Sequence, residues 1–217
     1  MSDWETFKEA EWLDQIANLW VEAGSKALHS RGQFTVAMDA SPESLQACRH
    51  LAKIDWPWSA TLILPARENW VPNGHRRHCG SAIYQALYPK KVNLLHWETE
   101  HMSHQQSADR YAKALKKEAG EQPKLDLTLI ALSGEHTLGE VETGQGGIPE
   151  FELTALYQSR VGTLPALGLT PWMLQASRMV ACISKGLNPP QTDTLQGSSP
   201  LDGLLAQVKH SRLLHTR

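Results

Sequence analysis

Apolar residues recur at helical spacing near the start of the chain. Leu13, Ile16, Trp20, Ala23 and Ala27 fall on one face when they are placed at the helical repeat of 3.6 residues per turn. A face of this kind is normally buried against the rest of the protein. The pattern therefore predicts a long first helix with one side in the core.

The ends of this helix and the start of the next one carry capping signals. Ser2 and Glu5 have the spacing of a capping box, and Gly32 is a typical residue at a helix end. Ser41 followed by Pro42 predicts the N-cap and the first position of a second helix.

Short apolar runs alternate with helical segments along most of the chain. The predicted strands are residues 34–38, 60–64, 92–95, 125–132 and 179–184. The further predicted helices are residues 82–87, 107–118, 172–177 and 201–208. Loops are predicted for residues 65–77 and 186–200, and an irregular stretch for the glycine-rich residues 139–147.

Alternating strands and helices predict right-handed crossovers and a mostly parallel sheet. The expected fold class is α/β, a doubly wound, Rossmann-like sheet with helices on both faces. No linker divides the chain, so residues 1–217 are expected to form a single domain. The glycine-rich dinucleotide fingerprint and the Walker A motif are both missing, which argues against a dinucleotide or nucleoside triphosphate as cofactor.

Composition narrows the classes of function. The net charge of −2 argues against an extended basic surface that binds a nucleic acid. No apolar run reaches the roughly 20 residues that span a bilayer, and the N-terminus does not resemble a signal peptide. Cys48, Cys79 and Cys182 lie far apart and are expected to be reduced thiols in a cytoplasmic protein.

His136 is the first candidate for chemistry. The predicted strand at residues 125–132 ends at a Ser-Gly turn, and His136 follows shortly after it. In open α/β sheets, ligands bind beyond the carboxyl ends of the strands. An imidazole there can exchange protons near neutral pH. The alternative is a loop histidine without a catalytic role.

Two groups of residues have spacings that could bind zinc. They are His75 with His78 and Cys79, and His96 with His101 and His104. Neither group has a carboxylate or a second cysteine in a recognised metal-binding pattern, so we predict no metal site.

Four segments of the chain carry motifs in a characteristic order. They are R-E-N-W-V-P at 67–72 with His75, an A-x-x-Y-x-x-x-L helix within 107–115, L-D-L at 125–127 with G-E-H-T at 134–137, and G-L-T at 168–170 with M-L at 173–174. Together they resemble the 6-phosphogluconolactonase family, which is grouped with the glucosamine-6-phosphate isomerases. The resemblance covers roughly residues 10–187.

This resemblance implies a NagB-like fold and a hydrolase of carbohydrate metabolism. The implied reaction opens a six-carbon sugar lactone that carries a phosphate, in the pentose phosphate pathway, without a metal or organic cofactor. The implied partner is therefore a small sugar phosphate. The alternative is a catalytically inactive member that binds a sugar phosphate or a protein partner.

The resemblance also suggests roles for individual residues. His136 matches the histidine of the family's D-G-H-T-A-S motif and would be the base. Glu135 could orient His136, or it could be a solvated loop carboxylate. Arg67 and Asn69 fall in the family's D-E-R motif, where they would bind substrate.

The phosphate site departs from the family's pattern. The family's G-G-S-T-P loop falls on residues 38–42, where Asp39 brings a negative charge and Ser41 is retained. The basic cluster that could replace the missing cations is His75, Arg76, Arg77 and His78. Lys185 lies near the position of a lysine in the family's pattern but out of register, and it is a further candidate for substrate binding. These departures define a divergent active site and are the reason that the inactive alternative stays open.

Overall fold

The fold is seen in a computed structural model, which describes residues 4–132, 153–157, 164–186 and 210–216. The helices in these residues are Glu9–Arg31 (α1), Pro42–Leu51 (α2), Cys79–Leu87 (α3), His104–Ala119 (α4) and Pro171–Gln175 (α5), with a 3-10 turn at Trp58–Ala60. The predicted helix at 201–208 lies outside the described residues, as do residues 139–147 and nearly all of the predicted loop at 186–200.

The main sheet is parallel at every pairing in the described part of the chain. Its strands are Glu5–Phe7 (β1), Phe34–Met38 (β2), Thr61–Pro65 (β3), Asn93–Leu94 (β5), Leu127–Ala131 (β6), Val180–Lys185 (β9) and Ser211–Thr216 (β10). Their order across the sheet is β1-β10-β9-β6-β2-β3-β5.

A second, antiparallel sheet contains Arg67–Asn69 (β4), Thr154–Tyr157 (β7) and Ala166–Leu169 (β8), in the order β4-β8-β7. The prediction of a loop over residues 65–77 is therefore wrong at β4. Arg67 lies opposite Gly168 and Glu68 lies opposite Leu167, so backbone pairing with a segment far away in the sequence makes these residues a strand.

Two hydrophobic clusters cover the two faces of the main sheet. Buried side chains of α1, α2 and α3 pack on one face, and those of α4 pack on the other together with Met173 and Leu174 of α5. This arrangement confirms the predicted doubly wound α/β fold. None of the helices in the described residues is long and apolar enough to cross a membrane.

The first helix ends as predicted but begins later. Gly32 adopts a left-handed conformation with a φ of 72°, and its N–H donates to the Leu28 carbonyl. The predicted capping box is wrong, because α1 begins after Lys8 and Glu5 lies in β1. Pairing with β10, together with an ion pair of 2.7 Å between Glu5 and Arg212, holds residues 5–7 extended.

The predicted start of the second helix is confirmed. The Ser41 side chain accepts the Ser44 N–H at 3.2 Å, and Pro42 opens α2. The strand at residues 34–38 is also confirmed and is wholly buried. The predicted strands at 60–64 and 125–132 correspond to β3 and β6, and α3 begins three residues before the predicted helix at 82–87.

Candidate functional site

The candidate site lies at the carboxyl edge of the main sheet. Adjacent parallel strands end together there: β2 ends at Met38, β3 at Pro65 and β6 at Ala131. Hydrogen bonds join these ends, since the Ala66 N–H donates to the Met38 carbonyl at 2.8 Å and the Ala131 N–H approaches Asp39 Oδ1 at 3.4 Å. This edge is where open α/β sheets bind ligands.

Asp39 places a carboxylate directly after β2. It accepts the hydroxyls of Ser44 and Ser41, the latter at 3.3 Å. Burial raises the pKa of Asp39 from 3.8 to about 6, and the bonds from Ser44, Ala131 and Ser41 oppose the rise. Asp39 is therefore mostly ionised at pH 7. The Ser41 hydroxyl is engaged within this turn, because it donates to Asp39 and caps α2.

Arg67 brings a positive charge to the same region, at the start of β4. The side chain is half-buried, and its Nε is buried without a hydrogen-bond partner among the described residues. Burial raises the pKa of the nearby Cys79 thiol to about 12, and the Glu68 carboxylate adds to the rise, whereas the Arg67 charge opposes it. Arg67 is therefore a half-buried cation at this edge of the sheet.

Asn69 holds the loop that leads to α3. Its Nδ2 donates to the Arg77 carbonyl at 2.6 Å and lies 3.5 Å from the Cys79 sulfur. His75 Nδ1 accepts the Arg77 N–H at 3.1 Å. The side chains of His75, Arg76 and Arg77 are exposed, so the structure places this basic segment on the surface of a loop whose base is tied by Asn69.

Lys185 ends β9, and its charge is already paired. Its Nζ lies 2.8 Å from the Glu9 carboxylate at the start of α1. This hydrogen bond, with a second one from Gln46, lowers the pKa of Glu9. Lys185 would therefore have to leave Glu9 before it could bind a substrate.

His136 and Glu135 lie outside the described residues. The last described strand before them is β6, which ends at Ala131, and the Leu132 N–H donates to the Ile183 carbonyl at 2.8 Å. In the described part of the chain, no group of three or more His, Cys, Asp or Glu side chains is placed to hold a metal ion.

Glu68 is a residue that the sequence interpretation missed. Its side chain is fully buried, although it lies between two half-buried polar residues. Its carboxylate accepts the backbone N–H groups of Cys79 at 2.6 Å, Gly80 at 2.7 Å and Asn69 at 3.0 Å. Burial raises the pKa of Glu68 to about 7, against the effect of these N–H groups. No local signal in the sequence identified it, because its partners Cys79 and Gly80 lie 11 and 12 residues further along the chain.

A family model matches more than half of the chain. A family model described as glucosamine-6-phosphate isomerases/6-phosphogluconolactonase matches residues 8–136. A solved 6-phosphogluconolactonase from Shewanella baltica is similar with a TM-score of 0.84 and 15% identity, over 100% of this chain and 98% of that chain.

Two further solved structures are similar over nearly the whole length. The 6-phosphogluconolactonase from Thermotoga maritima has a TM-score of 0.79 and 15% identity, over 98% of each chain. That from Trypanosoma brucei has a TM-score of 0.77 and 14% identity, over 99% of this chain and 97% of that chain. At these identities the likeness shows the fold. No curated protein matches the chain.

Proposed function

Because the chain belongs to the glucosamine-6-phosphate isomerase/6-phosphogluconolactonase family, we propose that it is a 6-phosphogluconolactonase-like hydrolase. The observation that carries the proposal is the half-buried cation Arg67, which lies at the carboxyl edge of the sheet, where open α/β sheets bind ligands. The substrate would be a phosphorylated sugar lactone, and the whole chain would act as one cytoplasmic domain without a cofactor.

His136 would act as the general base. It follows Leu132 by four residues, and four residues of extended chain cover at most about 14 Å. This length allows the imidazole to stay near the edge where β6 ends. It would take a proton from water as the oxygen attacks the lactone carbonyl, and then return the proton to the ring oxygen as the carbon–oxygen bond breaks. Glu135 would orient the imidazole.

Positive charge for the substrate would come from Arg67 and the loop beyond it. A guanidinium can bind a phosphate or an oxyanion through two parallel hydrogen bonds. The exposed His75, Arg76 and Arg77 would approach the phosphate from solvent, while Asn69 keeps their loop in place. Ser41 would have to turn its hydroxyl away from Asp39 before it could donate to the substrate from the start of α2, where the helix dipole favours an anion. Lys185 would break its ion pair with Glu9 and bind the substrate instead.

A pH-stat assay with 6-phosphogluconolactone tests this function. The wild-type protein should release acid faster than the spontaneous reaction. Loss of a general base typically lowers a rate by about 100- to 10,000-fold, so His136→Gln should bring the rate close to background. Glu22→Gln, which changes a carboxylate of an exposed ion pair on α1, is the matched control and should keep the wild-type rate.

Asp39 favours the second candidate, a family member that binds without turnover. Its carboxylate stands where the resemblance places a phosphate, and two charges of the same sign repel each other. Calorimetric titration with 6-phosphogluconate separates the candidates. Binding without any lactone hydrolysis would establish the inactive form, whereas hydrolysis above the spontaneous rate would exclude it.

A further inference from the structure

We propose that Glu68 is a positioning residue, whose buried carboxylate clamps the base of the loop that carries Asn69, His75, Arg76 and Arg77. The inference rests on the proposed function, because it assigns Glu68 a task in presenting this loop to the substrate. Glu68 itself would not touch the substrate.

The clamp joins the two ends of one loop. Glu68 lies in β4, and its oxygens accept the N–H groups of Cys79 at 2.6 Å and Gly80 at 2.7 Å, which are the first two residues of α3. These bonds bring together backbone groups that are 11 and 12 residues from Glu68 in the sequence. Glu68 therefore ties the start of the loop between β4 and α3 to its end, next to the bond from Asn69 to the Arg77 carbonyl.

His78 completes this arrangement. Its Nδ1 accepts the Ser81 N–H at 3.1 Å, so the first three residues of α3 all donate to a side chain. The same Nδ1 lies 3.3 Å from Glu68 Oε2, and both side chains are fully buried. The orphan N–H groups at the start of a helix need acceptors of this kind when they are out of contact with water.

The position of Glu68 within β4 links the clamp to the site. Side chains alternate between the two faces of a strand, so Arg67 and Asn69 share the face opposite to Glu68. The Glu68 carboxylate also accepts the Asn69 N–H at 3.0 Å, and Asn69 in turn holds the Arg77 carbonyl. A shift of Glu68 would therefore move Arg67, Asn69 and the basic loop together.

Glu68→Gln is the sharpest test. The amide has nearly the same size, but one of its two ends donates and cannot accept the N–H groups of α3. We expect the KM for 6-phosphogluconolactone to rise at least tenfold with kcat within about threefold of wild type, because the proposed base His136 lies in another segment of the chain. Glu22→Gln is the matched control and should change neither constant.

Hydrogen exchange gives a reading that does not depend on turnover. The amide hydrogens of Cys79 and Gly80 should exchange at least tenfold faster in Glu68→Gln than in wild type. Should Glu68→Gln not fold, Glu68→Asp keeps the charge but shortens the side chain, and the same increase in exchange is expected.

Two results would overturn the proposal. One is unchanged exchange at Cys79 and Gly80. The other is a lower melting temperature with wild-type KM and kcat at a temperature where the variant is folded, since Glu68 would then be structural alone. If the wild-type protein hydrolyses no lactone, the proposed function fails by itself. In that case faster exchange still supports the clamp, and unchanged exchange rejects it.

Discussion

Asp126 accepts the backbone N–H of Thr35 at 3.0 Å and so joins the segment that precedes β6 to the adjacent strand β2. The carboxylate is 3% exposed and also contacts the guanidinium groups of Arg31 and Arg178. Asp126→Ala should lower the free energy of unfolding by about 2 to 4 kcal/mol, because it leaves a buried N–H and two cations without their acceptor.

Urea denaturation measures this change, and Arg178→Ala is its control. The Arg178 side chain is 57% exposed, so its loss should cost less than about 1 kcal/mol. Equal losses for the two variants would show that the surface ion pair, rather than the bond to Thr35, stabilises the fold.

Arg67→Ala should weaken binding of 6-phosphogluconate by about 10- to 100-fold, the usual effect of losing one charged hydrogen bond. Arg67→Lys should recover part of this affinity, because an ammonium keeps the charge but cannot bind in the bidentate way. Calorimetry measures both. Arg49→Ala, which removes an exposed cation from α2, is the control. If it weakens binding as much as Arg67→Ala does, Arg67 contributes only to the overall charge attraction between protein and ligand.

Asp39→Asn should strengthen binding of 6-phosphogluconate, and more at pH 8 than at pH 5. Burial raises the pKa of Asp39 to about 6, so the wild-type carboxyl is mostly neutral at pH 5 and ionised at pH 8. The gain at pH 8 should be on the order of fivefold, which is the roughly 1 kcal/mol between unit charges about 4 Å apart in water. The same ratio of affinities at both pH values would place Asp39 away from the phosphate.

The carboxyl of Asp39 should also make stability depend on pH. Its folded pKa of about 6 exceeds the ordinary 3.8, so the folded state binds this proton more tightly than the unfolded state. The resulting stabilisation is complete below about pH 4 and disappears as the pH rises through 6. Urea denaturation between pH 4 and pH 8 should therefore show that the free energy of unfolding of wild type falls relative to that of Asp39→Asn as the pH rises. A constant difference between the two proteins across this range would contradict the prediction.

The local signals in the sequence were sufficient for the central part of the fold. The buried strand Phe34–Met38, the cap at Ser41 and the helix end at Gly32 each depend on a few neighbouring residues, and the structure confirms all three. The family resemblance is also confirmed, since the family model matches residues 8–136.

Elements that depend on distant partners were not predictable. The short strand β4 exists because it pairs with β8, about a hundred residues further along the chain. β1 likewise depends on β10, and its Glu5 was misread as part of a helix cap. Glu68 was missed for the same reason, since a carboxylate in an assumed loop looks solvated until the start of α3 is placed beside it.

The most direct test of the proposed activity compares wild-type kcat/KM for 6-phosphogluconolactone and for the lactone without a phosphate. We expect clear acceleration of the phosphorylated lactone and at least a tenfold preference for it, because Arg67 and the basic loop would act on the phosphate. Hydrolysis of both lactones at no more than their spontaneous rates would contradict the assignment of this chain as a lactonase.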